Sequence, residues 1–252
     1  MPQIIKSAKA AGLRLILPQA ALDENTVKNV WAAYGGSNAG TNSIITVAGS
    51  AAAAFKLVEK YSYILLAPAS QSDPLACSRQ TGLLTGAIKL AGKKSVTEGV
   101  FCRVPSDFSD TAGFPVFETL RFAAWSAVAS GATGIFYGPA APARLSELGD
   151  LLACAARVNA ELADMAPVVS AARAEQPPLR APAPLRAAAW RHHGRLYTVL
   201  INTGPSAMAA PAELLNGRFR PLFETNRDVR ASLALYKGRY YIQGHRVLVL
   251  ES

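Results

Sequence analysis

Four aspartates that follow predicted strands are the residues of this sequence best placed to do chemistry. Asp73 and Asp107, the pair we favour, come shortly after the apolar runs 63–67 and 95–104. Two carboxyl groups about 5 to 10 Å apart can act as general acid and as nucleophile or base, as cleavage of a glycosidic bond requires. Structural roles compete, since Asp73 precedes Pro74 as a helix N-cap does and Asp107 lies in a polar turn. The same two interpretations apply to Asp23 and Asp110.

Glu98 is an acid inside a predicted strand, at a position that argues against catalysis. Active sites of barrels with parallel strands are built at the carboxyl ends of those strands. Glu98 precedes the end of its strand by six residues, so it lies about 20 Å from that edge at 3.3 Å per residue. We therefore predict a charge at the opposite edge of the sheet, paired with Lys93 or Lys94.

Histidine and phosphate chemistry find little support in the sequence. The three histidines, His192, His193 and His245, fall at turn-like positions near the end of the chain. A Ser/His/Asp triad that used one of these histidines would have to bridge two domains, so we interpret the three histidines as surface turn residues. The glycine-rich run 35–40 follows a predicted helix, whereas a phosphate-binding loop follows a strand.

The three cysteines, Cys77, Cys102 and Cys154, are far apart and lie in apolar surroundings. Their spacing matches neither a metal site nor a disulfide framework. We predict buried small hydrophobic residues, with a single pairing or a reactive thiol as the alternatives. No cluster of metal ligands is visible, so we expect neither a metal nor a cofactor.

The elements that must position the aspartates alternate between β-branched apolar runs and helices with apolar residues at three- and four-residue spacing. This alternation predicts parallel β/α units whose strands are covered on both faces. One apolar face of the helix over 116–130 is expected to pack on the sheet. The predicted strands are 13–17, 43–47, 63–67, 95–104 and 134–137, and the predicted helices are 24–34, 51–61, 74–91, 116–130 and 143–170.

A change of composition at residues 175–185, which contain four prolines, marks a domain boundary. After it the pattern has period two, with turn signals such as His193-Gly194 and Lys237-Gly238. The strands predicted there are 186–191, 195–202, 218–225, 233–236, 239–243 and 247–250. We predict an α/β fold, a partial (β/α) TIM-type barrel over 1–174, followed by a proline-rich linker over 175–185 and a small all-β antiparallel sandwich over 186–252.

The net charge of +9 is concentrated in the last part of the chain. Residues 180–252 carry 11 Lys and Arg against 4 acids, whereas residues 1–179 carry 15 against 13. Because these arginines are scattered along predicted strands, we interpret them as a solvated basic face. The alternative is a basic module that binds an anionic polymer.

Segment 117–137 contains an arginine-bearing helix with Arg121 and Trp125, then a Gly-Ala-Thr-Gly-Ile turn that leads into a strand. Three further stretches agree in order: 158–162, 197–202, and Phe223-Glu224 with 246–251. Together, over residues 95–252, they resemble the C-terminal portion of retaining-type glycoside hydrolases with a (β/α)8 barrel and an appended β-sandwich. The resemblance implies that 117–130 is the seventh barrel helix and 134–137 the eighth strand, and that the ligand is a carbohydrate.

The sequence departs from that family where the catalytic acids are expected. The place of the Asp-Glu-Pro motif after the fourth strand reads Val-Ala-Gly-Ser-Ala over 47–51, and the place of the aspartate after the sixth strand reads Leu-Ala-Pro-Ala-Ser over 66–70. Too few residues precede Leu13 for the first barrel strands, so we count about five strands. An open half-barrel exposes its strand edges, which a longer chain, a homo-oligomer or another closure would cover.

We therefore predict a glycoside-hydrolase-like protein, truncated or degenerate, that binds carbohydrate through aromatic residues such as Tyr137 and Trp31 and has little or no hydrolytic activity. The enzymatic alternative is a glycosidase that uses Asp73 and Asp107. Nucleic acid is not expected as a partner. No run approaches the roughly 20 apolar residues of a membrane span, and the start lacks a secretory signal, so we expect a cytoplasmic protein unless N-terminal residues are missing.

Overall fold

The parallel sheet of this protein has five strands, which lie side by side in the order in which they occur along the chain. The computed structural model describes residues 15–17, 44–61, 63–67, 75–92, 95, 97–105, 116–138, 149–171, 181–211, 219–223, 233–237 and 239–252. The strands are β1 Leu15–Leu17, β2 Ile44–Ala48, β3 Tyr63–Leu66, β4 Gly99–Pro105 and β5 Gly134–Gly138. The first four pair in parallel. The parallel β/α arrangement predicted from the sequence is confirmed for these strands.

β5 completes the sheet beside β4. The amide of Thr133 donates to the carbonyl of Val100 at 2.8 Å, so β5 begins next to the start of β4. β4 begins at Gly99, so an antiparallel β5 would run past the start of β4 and most of its five residues would find no partner there. The residues of β5 pair along β4 only if the two strands run in the same direction. The sheet therefore continues in parallel to its edge.

Two helices accompany the sheet, α1 over Ala51–Phe55 and α2 over Ala76–Ala91. The prediction that the first of them extends to residue 61 is wrong. Beyond Phe55 the chain tightens into turns, because the amides of Val58 and Lys60 donate to carbonyls three residues back. The helix predicted over 24–34 lies outside the described residues.

β4 starts four residues later than the sequence predicts. Ser95 and Thr97 use their hydroxyl groups to donate to backbone carbonyls: Ser95 Oγ to Val58 at 3.4 Å, and Thr97 Oγ1 to Val58 at 3.1 Å and Tyr61 at 2.9 Å. These bonds anchor the segment to the turns after α1. The strand-like sequence of residues 95–98 therefore belongs to a connecting segment and not to a strand of the sheet.

The described chain divides into two compact units, residues 1–103 with 130–136, and residues 104–129 with 137–252. The second unit contains two antiparallel sheets, with strand orders β6-β7-β12-β9 and β10-β11-β8. Its helices are α3 over Val116–Ala129 and α4 over Gly149–Val169. Its strands are β6 Leu185–His192, β7 Arg195–Asn202, β8 Met208–Ala209, β9 Arg220–Pro221, β10 Leu233–Tyr236, β11 Arg239–Ile242 and β12 Arg246–Glu251.

Both faces of the sheet β6-β7-β12-β9 are buried. On one face Leu200 and Leu248 share a hydrophobic cluster with Ile242 of the other antiparallel sheet. On the opposite face Trp190 and Val249 are buried, and α3 and α4 pack against these strands. Five of the six predicted antiparallel strands are present, whereas the one predicted over 218–225 is described only as β9, Arg220–Pro221. The closed sandwich and the boundary at 175–185 stay predictions.

Helix α3 is buried all round and not on one face as predicted. Every residue from Phe117 to Val128 is buried, the charged Glu118 and Arg121 included. In its own unit the helix packs against α4, β7 and β12. The sequence of α3 shows a single apolar face. Charged partners on its other sides neutralise Glu118 and Arg121, and hydrophobic periodicity does not reveal such partners.

Candidate functional site

The carboxyl ends of β3 and β4 are neighbours in the parallel sheet. Leu66, the last residue of β3, pairs with Cys102 of β4. Adjacent strands lie about 4.8 Å apart, so the segments that lead to Asp73 and Asp107 depart from the same edge of the sheet. Both aspartates lie outside the described residues, as do Trp31, Asp23 and Asp110. Their proximity stays a prediction.

The end of β2 is occupied by structural hydrogen bonds. Ser50 caps α1, its side chain accepting from the amide of Ala53 at 3.2 Å. The amide of Ala51 donates to Oε1 of Gln80, on α2, at 2.7 Å. This is the place where the family resemblance would put an acidic motif, and here the chain uses a serine and a glutamine to hold α1 and α2 together.

Six acids have described side chains, and none of them follows the carboxyl end of a parallel strand within the described ranges. Glu98 immediately precedes β4, accepts a hydrogen bond from the Tyr63 hydroxyl at 3.0 Å and is exposed. It lies at the edge predicted for it, although the proposed partners Lys93 and Lys94 are outside the described residues. The other five are Glu59, Glu118, Glu161, Asp164 and Glu251.

Tyr137 lies near the carboxyl end of β5 with its ring partly exposed and its hydroxyl buried. Within the described residues that hydroxyl has no hydrogen-bond partner. Burial raises the pKa of the Tyr137 phenol, and the negative charge of Glu161 raises it further. The phenol is therefore neutral at ordinary pH, with its polar end turned inward and only part of the ring available to a ligand.

Glu161 belongs to a buried polar cluster that sequence reasoning missed. Its Oε2 accepts from Arg121 Nε at 2.7 Å and from Trp125 Nε1 at 3.2 Å. Arg121 also donates through Nη1 to the carbonyl of Val247 at 2.7 Å. The cluster joins α3, α4 and β12, with the Arg121 side chain 0% exposed. A buried-type helix that carries the charged Arg121 was the available signal, but the partner of Arg121 lies 40 residues away.

A second ion pair extends this cluster. Arg246, at the start of β12, lies 3.4 Å from Glu118 of α3, and both side chains are largely buried. Arg121, Glu161 and Arg246 are among the residues that carry the family resemblance. In this structure they bring helices and a strand of one unit together. The geometry assigns them to architecture, because every carboxylate involved is paired with an arginine.

The histidines are only partly the surface turn residues that were predicted. His193 is exposed in a turn with φ of 48°, as expected. His192 instead ends β6, with its ring 4.0 Å from that of His193. His245 is in a turn with φ of 51°, but it is half-buried against the Phe122 ring at 5.2 Å.

The cysteine prediction is wrong in one respect. Cys102 is fully buried, as predicted, but it is disulfide-bonded. Cys154, on α4, is half-buried and is not part of a disulfide. Bonded cysteines can be far apart in sequence, so spacing alone does not reveal a pairing. The part of the chain that the structure describes contains no group of three His, Cys, Asp or Glu that could hold a metal ion.

Comparison with known proteins gives a likeness of structure only. The sequence matches no protein-family model and no curated protein. Among solved structures, Eubacterium rectale Amy13B superposes with a TM-score of 0.60 at 10% identity, covering 100% of this chain and 62% of that one. AmyP in complex with maltose gives 0.55 at 9%, covering 99% and 66%. The α-amylase of Geobacillus thermoleovorans, complexed with acarbose, gives 0.55 at 7%, covering 99% and 62%.

These similar structures are glycoside hydrolases with a TIM barrel. The chain spans about three fifths to two thirds of their length, so it has the fold of part of such an enzyme. Fold does not fix activity, which resides in the residues of a site. Among the described residues no helix is long and apolar enough to cross a membrane.

Proposed function

We propose that this chain is a glycoside-hydrolase-like protein that binds carbohydrate at the carboxyl ends of its parallel strands and has little or no hydrolytic activity. The observation that carries the proposal is the superposition of the whole chain on glycoside hydrolases, with a TM-score of 0.60 for Amy13B. Ligand sites of parallel barrel folds lie at that edge of the sheet.

The choice of carbohydrate is supported by what the similar proteins hold. AmyP is complexed with maltose and the Geobacillus enzyme with acarbose. Tyr137 and Trp31 are the aromatic side chains that we propose for contact with sugar rings, since flat apolar ring faces suit aromatic partners.

The proposed lack of hydrolysis is supported by the places of the acids that the structure describes. Glycoside hydrolysis needs two carboxyl groups on either side of the bond. Of the six acids with described side chains, Glu118, Glu161 and Glu251 face arginines and Glu98 is at the opposite strand end. The β2 end carries a serine cap where the family resemblance would put an acid.

Calorimetric titration with maltotriose and with acarbose tests the binding proposal. We expect saturable binding that Trp31→Ala weakens by about tenfold, which corresponds to about 1.4 kcal/mol. Tyr240→Ala is the matched control, because Tyr240 is an exposed aromatic residue on β11 of an antiparallel sheet. No binding of either ligand by folded protein, or equal losses in both variants, would contradict the proposal.

A second candidate function, active hydrolysis by Asp73 and Asp107, is favoured by the parallel pairing of β3 and β4. If these aspartates are catalytic, aryl glycosides should be cleaved with a bell-shaped pH dependence. Asp107→Asn should then abolish the rate, while Asp164→Asn, on the exposed side of α4, should leave it unchanged. Such a result would replace our preference for an inactive protein.

A further inference from the structure

The hairpin formed by β10 and β11 has an aromatic and basic outer face. Tyr236 pairs with Arg239, and Ala234 with Tyr241. Paired residues of an antiparallel ladder lie on one side of the sheet, and successive residues alternate sides. Because Ile242 points into the hydrophobic cluster, the side chains of Tyr236, Arg239 and Tyr241 lie on the opposite face.

Aromatic and cationic groups are in contact on this face. The rings of Tyr236 and Tyr241 are edge to face, with centroids 6.4 Å apart. The ammonium group of Lys237 lies 5.2 Å from the Tyr236 ring centroid. These contacts leave Tyr236 60% exposed, so most of the side chain is accessible to a ligand.

Within the described residues, the charge of this face is not neutralised as it is elsewhere in the unit. Arg195 and Arg220 both contact Glu251, and Arg246 lies beside Glu118. Residues 229–250 contain no Asp or Glu. Among the residues that the structure describes, no carboxylate forms an ion pair with Lys237 or Arg239.

We propose that this hairpin face is a second binding site, one that takes an acidic polysaccharide. A pyranose ring presents an apolar face that packs on Tyr236 and Tyr241. Its carboxylate or sulfate group would accept two parallel hydrogen bonds from the Arg239 guanidinium and pair with Lys237. The preference for a glycan over another polyanion rests on the carbohydrate role proposed above.

The test is affinity electrophoresis of the full chain in gels containing polygalacturonate, with neutral amylopectin as the reference polymer. We expect retardation by polygalacturonate, and an increase of at least about tenfold in Kd for Arg239→Ala and for Tyr236→Ala. Arg191→Ala is the matched control, since Arg191 is an exposed arginine on β6. Its affinity should be unchanged, and unfolding curves should be the same for all variants.

Three results would overturn the proposal. Equal losses for Arg191→Ala and Arg239→Ala would show a diffuse basic surface. An unaffected Tyr236→Ala would show charge attraction without ring packing. Tighter binding of a thymidine oligonucleotide than of polygalacturonate, lost in the same variants, would make the ligand a nucleic acid. Titration with maltotriose separates this test from that of the proposed function, because the hairpin variants should bind it as the unaltered protein does.

Discussion

Two arginine and carboxylate clusters in the same unit differ mainly in their exposure to water. Arg121 and Glu161 have side chains that are 0% and 6% exposed, and their charges meet at 2.7 Å. At the other cluster Arg195 and Arg220, with side chains 64% and 71% exposed, both contact Glu251. The chemistry of the groups is the same. Burial therefore decides how much each cluster contributes to stability.

The buried cluster is incompletely satisfied. Oε1 of Glu161 and Nη2 of Arg121 are buried without a hydrogen-bond partner in the described part of the chain. Removing one charge from such a pair leaves the other uncompensated in a medium of low dielectric constant, whereas replacing both by apolar groups need cost little. The exposed cluster keeps its water, and salt screens it.

The largest expected effect is that of Glu161→Ala, which leaves the buried charge of Arg121 without its carboxylate partner. We expect a loss of about 3 to 5 kcal/mol in the free energy of unfolding, measured by urea denaturation. The double variant Arg121→Met with Glu161→Leu is the control and should recover most of that loss. A loss below about 1 kcal/mol in Glu161→Ala would mean that the buried cluster contributes no more to stability than the exposed one.

Asn202 tests whether a neutral group as buried as Arg121 behaves in the same way. Its Nδ2 donates to the carbonyls of Ser206, Ile242 and Gln243 at 2.8 to 3.1 Å, and its Oδ1 accepts from the Gly204 amide at 3.0 Å. Asn202→Leu should destabilise the protein by about 2 to 3 kcal/mol, because several backbone groups lose their partner. Thermal unfolding of Ser206→Ala, which keeps the accepting carbonyl, should differ little from that of the unaltered protein.

Tyr137→Phe is expected to leave the protein equally stable at pH 7 or up to about 1 kcal/mol more stable, because it removes a buried hydroxyl that has no partner among the described residues. The pKa of Tyr137 is raised in the folded state, so the phenol ionises first in the unfolded chain, and this lowers the free energy of unfolding as the pH rises above the ordinary value of 10.0. Denaturant titrations at pH 9 and 11 should show a steeper alkaline loss in the unaltered protein. An equal loss in both would contradict the assignment.

The smallest effect is that of Glu251→Gln, about 1 kcal/mol or less at pH 7. The hydrogen bonds from Arg195 and then Arg220 hold the pKa of Glu251 below its ordinary value of 4.5. The contribution of Glu251 is therefore present above pH 4.5 and is lost as the pH falls through the lowered value. Melting curves at pH 7 and 3, each at low and high salt, should show the largest difference between the two proteins at pH 7 and low salt, and a smaller one at pH 3 or at high salt.

Local signals in the sequence predicted many elements. β7 and β10 have the predicted bounds, and the His193-Gly194 turn has φ of 48° and 77° at its two residues. These elements could be predicted because the alternation of apolar residues in strands and the preference of glycine for turns depend on residues close together in the sequence. The late start of β4 was not predictable, because it depends on hydrogen bonds from Thr97 to carbonyls 36 and 39 residues earlier.

The site was less predictable than the fold. The parallel pairing of β3 and β4 agrees with the reasoning that selected Asp73 and Asp107, although their own positions stay predictions. The partnership of Arg121 with Glu161 was missed, because the two residues belong to different helices and a pattern along one helix carries no information on the other. Likewise, the exposed face around Tyr236 follows from the register of two strands.

The unit that holds α3 is discontinuous along the chain, since residues 130–136 belong to the other one. The segment after the proline-rich stretch, residues 186–252, cannot be exchanged between proteins as one independent piece. Its residues Trp190 and Val249 lie on a sheet face against which α3 and α4 pack. Expressed alone, residues 186–252 would present that apolar face to solvent and aggregate. Recombination, natural or engineered, has to move residues 104–129 and the chain from 137 onward together.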